Sequence, residues 1–132
     1  MASWADVQTH MRANYKLVAD EPTWMSLDFR FPNGRLQRII LTTFEALGKH
    51  WIGFRSRICK RSQMDPEVAV LKNGNFAVGF IGLSGEGADA FYEFVYTTVL
   101  ETLDPDELEL PLHVVTRTAD ELEAELTKED IA

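Results

Sequence analysis

Cysteine is nearly missing from this chain: Cys59 stands alone in 132 residues. One cysteine cannot close an intramolecular disulfide, so burial and hydrogen bonding must hold the fold, as suits a reducing compartment. Histidine is equally thin. His10, His50 and His113 lie far apart, and none sits at the short spacing of paired zinc ligands. No apolar run approaches the roughly 20 residues of a membrane-spanning helix. The start, Met1-Ala2-Ser3-Trp4-Ala5-Asp6, lacks the basic and then apolar pattern of an export signal. These absences predict a cytoplasmic protein with no membrane partner. A net charge of −8 argues against a nucleic-acid partner, because a phosphate backbone needs a basic surface.

Chemistry is also scarce. Ser84-Gly85-Glu86-Gly87 carries two glycines but no following Lys-Ser/Thr, so it is not a phosphate loop. Cys59, a lone cysteine with cations nearby, reads as structural. The acids of the last third read as a solvated helix face, because carboxylates need a pocket to become catalytic. The expectation is a protein that is not an enzyme and needs no cofactor.

What is present is pattern. Hydrophobic residues make up 45% of the chain, enough for one self-sufficient domain over residues 1–132. Ser3 is a cap for a short helix over residues 4–15, with Trp4, Val7, Met11 and Tyr15 at helical spacing. Met25, Leu27, Phe29 and Phe31 alternate with polar residues as in a half-buried strand. Pro32-Asn33-Gly34 is a hairpin turn, and Arg35 to Phe44 the return strand. Leu47-Gly48-Lys49-His50 makes a second turn, and Trp51 to Lys60 the third strand. Asp65-Pro66 opens a short helix that stops at Asn73-Gly74. Phe76 to Leu83 reads as a fourth strand and Phe91 to Leu100 as a fifth, although Ala88 to Leu103 can also be written as a helix.

The end of the chain carries the strongest signal. Asp104, Pro105 and Glu107 form a capping pattern. Leu108, Leu112, Val115, Ala119, Leu122 and Leu126 then fall on one stripe, with Asp120, Glu121, Glu123 and Glu125 placed in water. Pro111 breaks the simple reading: either the helix kinks there, or Asp104 to Leu110 is a separate turn and the helix starts at Pro111. Thr127 to Ala132 is expected to fray. The sum is an α+β fold, an antiparallel sheet of about five strands with helices at both ends, in the order α-β-β-β-α-β-β-α.

Several strands are apolar on both faces. Ile39 and Leu41 oppose Ile40 and Phe44; Tyr92, Phe94 and Tyr96 oppose Phe91, Val95 and Val99. A sheet with one wet face alternates cleanly, so something other than the two long helices must shelter part of the second face: the short helix, a second copy or a client. Charge is divided too. Residues 30 to 61 hold eight bases against Glu45, whereas residues 86 to 132 hold fourteen acids against Arg117 and Lys128. Such a basic middle either balances the acidic end within one monomer or receives an acidic partner or a second copy's acidic helix. Trp24 and Trp51 point away from the core-facing residues of their strands, and Arg30, Arg55 and Arg57 share that side. Aromatics with arginine are common anchors of protein interfaces, so Trp24, Arg30, Arg38, Trp51, Arg55 and Arg57 are the candidate partner-binding residues.

Two segments carry a family likeness: Asp65-Pro66-Glu67-Val68-Ala69-Val70-Leu71-Lys72-Asn73-Gly74-Asn75-Phe76, and Thr102-Leu103-Asp104-Pro105-Asp106-Glu107-Leu108 leading into Thr118-Ala119-Asp120-Glu121-Leu122-Glu123. With the element order, they resemble the type III secretion chaperone-like fold, shared by the CesT/Tir chaperones and the YbjN family of bacterial sensory transduction regulators. The resemblance implies a small acidic protein, commonly a homodimer, that holds an extended polypeptide client along sheet and helix surfaces. The competing expectation is a small-ligand or enzymatic domain with a pocket between the sheet and the last helix.

Overall fold

The computed structural model describes residues 3–131, with side chains at all of them except 105 and 127–131. Helix α1 (Trp4–Asn14) starts where Ser3 predicts. The Asp6 amide donates to Ser3 Oγ at 3.2 Å, and the Ser3 amide donates to Asp6 Oδ2 at 3.0 Å. This reciprocal cap satisfies amides that a helix start otherwise leaves open.

Six strands form one antiparallel sheet: β1 (Leu17–Asp20), β2 (Trp24–Arg30), β3 (Leu36–Ala46), β4 (Lys49–Lys60), β5 (Phe80–Ser84) and β6 (Phe91–Val99). Their spatial order is β1-β2-β3-β4-β6-β5. The strand beyond the expected five is β1, an edge strand on β2. Its four residues end just before Glu21-Pro22 and are too few to establish alternation. The β3–β4 hairpin turns through Leu47 and Gly48, both with positive φ (54° and 72°), while Ala46 pairs with Lys49. That is a two-residue turn whose twist matches its strands. A leucine there is unusual, because its Cβ crowds the left-handed backbone.

Beyond shifts of one or two residues at other element ends, two boundaries differ from expectation. The fourth expected strand begins at Phe80, not Phe76. Gly79 has a φ of +80°, and a Cβ there would lie 2.6 Å from the Phe94 ring. The chain therefore bends before β5, and Phe76 packs edge-on against Phe94 at 5.0 Å. Near Pro111 the separate-turn alternative holds. Pro105–Leu108 is a 3-10 turn, with the Asp104 amide donating to Glu107 Oε1 at 3.2 Å. Helix α3 (Glu109–Ile131) starts afresh, two residues ahead of Pro111, so the proline falls in the first turn, where its missing N–H costs nothing. The helix runs on past Thr127, where fraying is expected, and Ala132 lies outside the described residues. The strand reading holds for β6.

Helix α2 (Pro66–Asn73) is capped by Asp65, whose Oδ1 accepts from the Glu67 amide at 2.9 Å. Its last residue does more than end it. The Asn73 side chain accepts from the Ile81 amide at 2.6 Å and donates to the Ile81 carbonyl at 3.3 Å. It thereby occupies part of the outer edge of β5, which would otherwise be open for pairing.

The core lies on one side of the sheet. The whole α3 stripe from Leu108 to Leu126 is buried, in one cluster with Met25, Leu27, Ile39, Leu41, Ile52 and Phe54. Val7 and Met11 of α1 join the same cluster, as does Ala69 of α2. Lys72 of α2 pairs with Glu125 of α3 at 3.0 Å. All three helices therefore cover the same face. The acids of α3 are not all in water, contrary to expectation. Arg35, after the first hairpin turn, donates from Nε to Asp120 Oδ1 and from Nη2 to Glu123 Oε1, each at 2.8 Å. Asp120 is buried. Burial pushes the Glu123 carboxyl up; Arg35 opposes that rise and Asp120 adds to it.

Candidate protein-interaction face

Strand pairing fixes which side chains share the second face. Trp24 lies opposite Thr42, Asp28 opposite Arg38, Ile40 opposite Arg55, and Phe44 opposite Trp51. Across the next ladder Arg55 meets Val95 and Arg57 meets Glu93, and Val95 in turn meets Phe80. Successive strand residues point to opposite faces, and the core residues Met25, Leu27, Ile39, Leu41, Ile52, Phe54 and Phe94 alternate with this set. All six candidate residues thus lie on the face away from the helices.

That face is apolar and open. Trp24 is 38% exposed, Ile40 37%, Phe44 40% and Phe80 47%. A shallow groove of about 550 Å³ crosses it, bounded among others by Trp24, Ile40, Phe44, Arg55, Phe91 and Glu93. Every residue that lines it belongs to a strand. The short helix, one of the three expected covers, lies on the other side. At roughly 25 cal/mol per Å², uncovered apolar surface is burial energy still to be gained, and contiguous patches of this kind mark interaction sites.

The charges on the face are ordered. Arg38 holds Asp28 with two hydrogen bonds, of 2.7 and 3.1 Å. This keeps the Asp28 carboxyl below its usual value, through the hydrogen bond first and the positive charge second. Arg55 Nη1 donates to Glu93 Oε1 at 2.8 Å, and Ser84 Oγ donates to the same oxygen at 2.6 Å. Glu93 is otherwise buried. Arg57 lies over the Phe91 ring, 3.8 Å from its centroid.

The six candidates are not one cluster. Trp24, Arg38, Arg55 and Arg57 border the central groove or the pocket beside it. Trp51 stacks on Phe44 with centroids 6.4 Å apart and donates to the Ala46 carbonyl at 2.8 Å, at the hairpin end. Arg30 lines a separate recess of about 440 Å³ with Lys16, Val18 and Leu36 at the β1 end. Nothing in the sequence marks Glu93 or Ser84, because their role depends on an arginine from another strand. Phe91 is legible only as part of the second apolar face.

Among the described residues no group of three His, Cys, Asp or Glu side chains is arranged to hold a metal ion. No helix among them is long and apolar enough to cross a membrane. The space between sheet and α3 is filled by the core, and the opening beside Val78, Tyr96, Leu110, Pro111 and Val114 is about 70 Å³.

No protein-family model matches the chain, and no curated protein does. Solved structures do match. A chain in the structure of the ExsC–ExsE complex superposes with a TM-score of 0.66 at 9% identity, over 96% of this chain and 97% of that one. A chain in the structure of the HopA1–SchA chaperone–effector complex superposes with a TM-score of 0.63 at 11% identity, over 89% of both. The chain has the type III secretion chaperone-like fold. Identities this low carry the fold and no more, so the chaperone-like fold of this chain bears its own surface, set by the residues described above.

Proposed function

We propose that this chain is a chaperone-like or regulatory protein that holds a polypeptide partner on the open face of its sheet and performs no chemistry on it. The observation that carries this reading is the strand-built groove, where Trp24, Ile40 and Phe44 stand exposed beside ordered arginines and no helix among the described residues covers them. One matching solved structure is itself a chaperone–effector complex by its description, which supports the same reading. The ligand-pocket alternative meets an opening of about 70 Å³ beside α3, well below the roughly 300–1,000 Å³ of small-molecule sites.

In this reading the protein is cytoplasmic and a homodimer. Support for self-association comes from the flank opposite β1, where Val70 and Leu71 of α2 are each 69% exposed and Leu83 stands exposed on the edge strand β5, which α2 contacts. The test of partner binding is affinity purification from native cells with mass spectrometry, comparing the wild-type chain with a variant carrying Ile40→Asp and Phe44→Asp. The wild type should retain a partner polypeptide that the variant loses while keeping its melting temperature. Equal retention by both chains would remove the open face from the site.

A further inference from the structure

Beside the central groove lies a second pocket of about 280 Å³, bounded by Arg38, Ile40, Arg55, Arg57, Phe91 and Glu93. Three guanidinium groups converge on it from two strands, above an apolar floor. Its position has a structural cause. The β3–β4 ladder pairs residues only from Ile40–Arg55 outward to the turn. Below that point the strands part, and side chains take over the bonding. Gln37 Nε2 donates to Ser56 Oγ at 2.8 Å and to the Arg57 carbonyl at 2.6 Å, and Ser56 Oγ donates to the Arg38 carbonyl at 2.5 Å. On its other side β4 carries an irregularity between Arg57 and Cys59. Bulges re-aim side chains and concentrate near functional sites.

Charge within the pocket is uneven. Arg38 is matched by Asp28 and Arg55 by Glu93. Arg57 has no carboxylate partner among the described residues; it rests on the Phe91 ring, which leaves the guanidinium edge free to donate. A guanidinium fork so placed matches one more carboxylate, which can take two parallel hydrogen bonds. The neighbouring groove shares Ile40, Arg55, Phe91 and Glu93 with this pocket and adds Trp24 and Phe44. A segment crossing the face therefore meets a cationic pocket directly beside an apolar trough.

We propose that this pocket reads an Asp or Glu side chain of a bound extended polypeptide, with Arg57 as the selecting group and large apolar residues of the same segment filling the trough. The occupant is a separate polypeptide and not a second copy's acidic helix. The acids Asp120, Glu123 and Glu125 of α3 are already paired with Arg35 and Lys72 on the opposite face. The proposal rests on the polypeptide-binding reading above and adds the chemistry of the partner.

The test uses the purified full chain on an array of immobilised random-sequence peptides, with the wild type, Arg57→Glu and Arg57→Gln side by side. The wild type should select peptides in which Asp or Glu adjoins aromatic or aliphatic residues, and added salt should weaken that binding. Arg57→Glu should lower binding to these peptides about tenfold or more and turn the preference toward Lys or Arg; Arg57→Gln should lose about tenfold without reversing it. Melting curves identify folded variants, and if Arg57→Glu does not fold, the Gln variant is read instead. Selection of apolar peptides with no acidic preference, or unchanged binding by a folded Arg57 variant, overturns the pocket and leaves polypeptide binding intact. Retention of no peptide by the wild type overturns both.

Discussion

Arg35 ties the first hairpin to the last helix, and its removal gives a measurable cost. Arg35→Ala breaks two charged hydrogen bonds of 2.8 Å and strands Asp120, whose side chain is 11% exposed. Removing one partner of a fully buried ion pair costs about 3–5 kcal/mol. Here 31% of the Arg35 side chain and 35% of that of Glu123 remain in water, so solvent replaces part of what is lost, and about 2 kcal/mol is the expected cost. An unfolding entropy of about 2.1 cal/mol/K per residue, over 132 residues, converts this into a fall in Tm of roughly 7 °C. Urea and thermal melts followed by circular dichroism read both quantities. A companion cycle with Asp120→Ala should return a coupling of about 1 kcal/mol or more. A loss under about 0.5 kcal/mol in Arg35→Ala, or additive single variants, would refute the clamp.

Three further outcomes follow from particular residues. Leu47 holds a left-handed backbone while 91% exposed, so Leu47→Asn should raise stability by about 0.5–1 kcal/mol in urea melts, since Asn tolerates that conformation and no packing is lost. Tyr15 donates its hydroxyl to Glu109, and its pKa is raised, by burial first and then by that hydrogen bond and the Glu109 charge. A raised value in the folded state means the stabilisation is complete below the ordinary tyrosine value near 10 and is lost as pH rises past it; Tm against pH should drop above that point, and Tyr15→Phe should flatten the drop. Val70→Asp with Leu71→Asp should convert the proposed dimer into a monomer in sedimentation velocity runs, with Tm little changed, because both side chains are largely exposed.

The parts of the fold that repeat along the chain were legible from it. The α3 stripe, the Ser3 and Asp65 caps and the Asn33-Gly34 turn each depend on residues within one or two turns of each other, and local geometry alone dictates them. So was the second apolar face, because Ile40 and Phe44 break the alternation that Ile39 and Leu41 establish. What stayed hidden depends on distance or on one backbone angle. Arg35 meets Asp120 across 85 positions, and no periodicity encodes such a pair. Phe76 to Val78 looks like a strand until Gly79 takes its left-handed turn. Alternation puts Trp24, Trp51, Arg30, Arg55 and Arg57 on one side of the sheet, but their sorting into the groove, the Arg30 recess and the Trp51 stack needs the strand register. In the sequence Arg57 is one cation among several; the parting of β3 from β4 sets it apart.

The proposed function requires the uncovered face of the sheet to receive another polypeptide. The most direct measurement places a light-activated cross-linking residue at Phe44, on that face, and in a second chain at Glu121, on the exposed side of α3. Irradiation in native cells should yield a covalent adduct with a different polypeptide from position 44 and none from position 121. Adducts from position 121 alone, with the open face silent, would contradict the account.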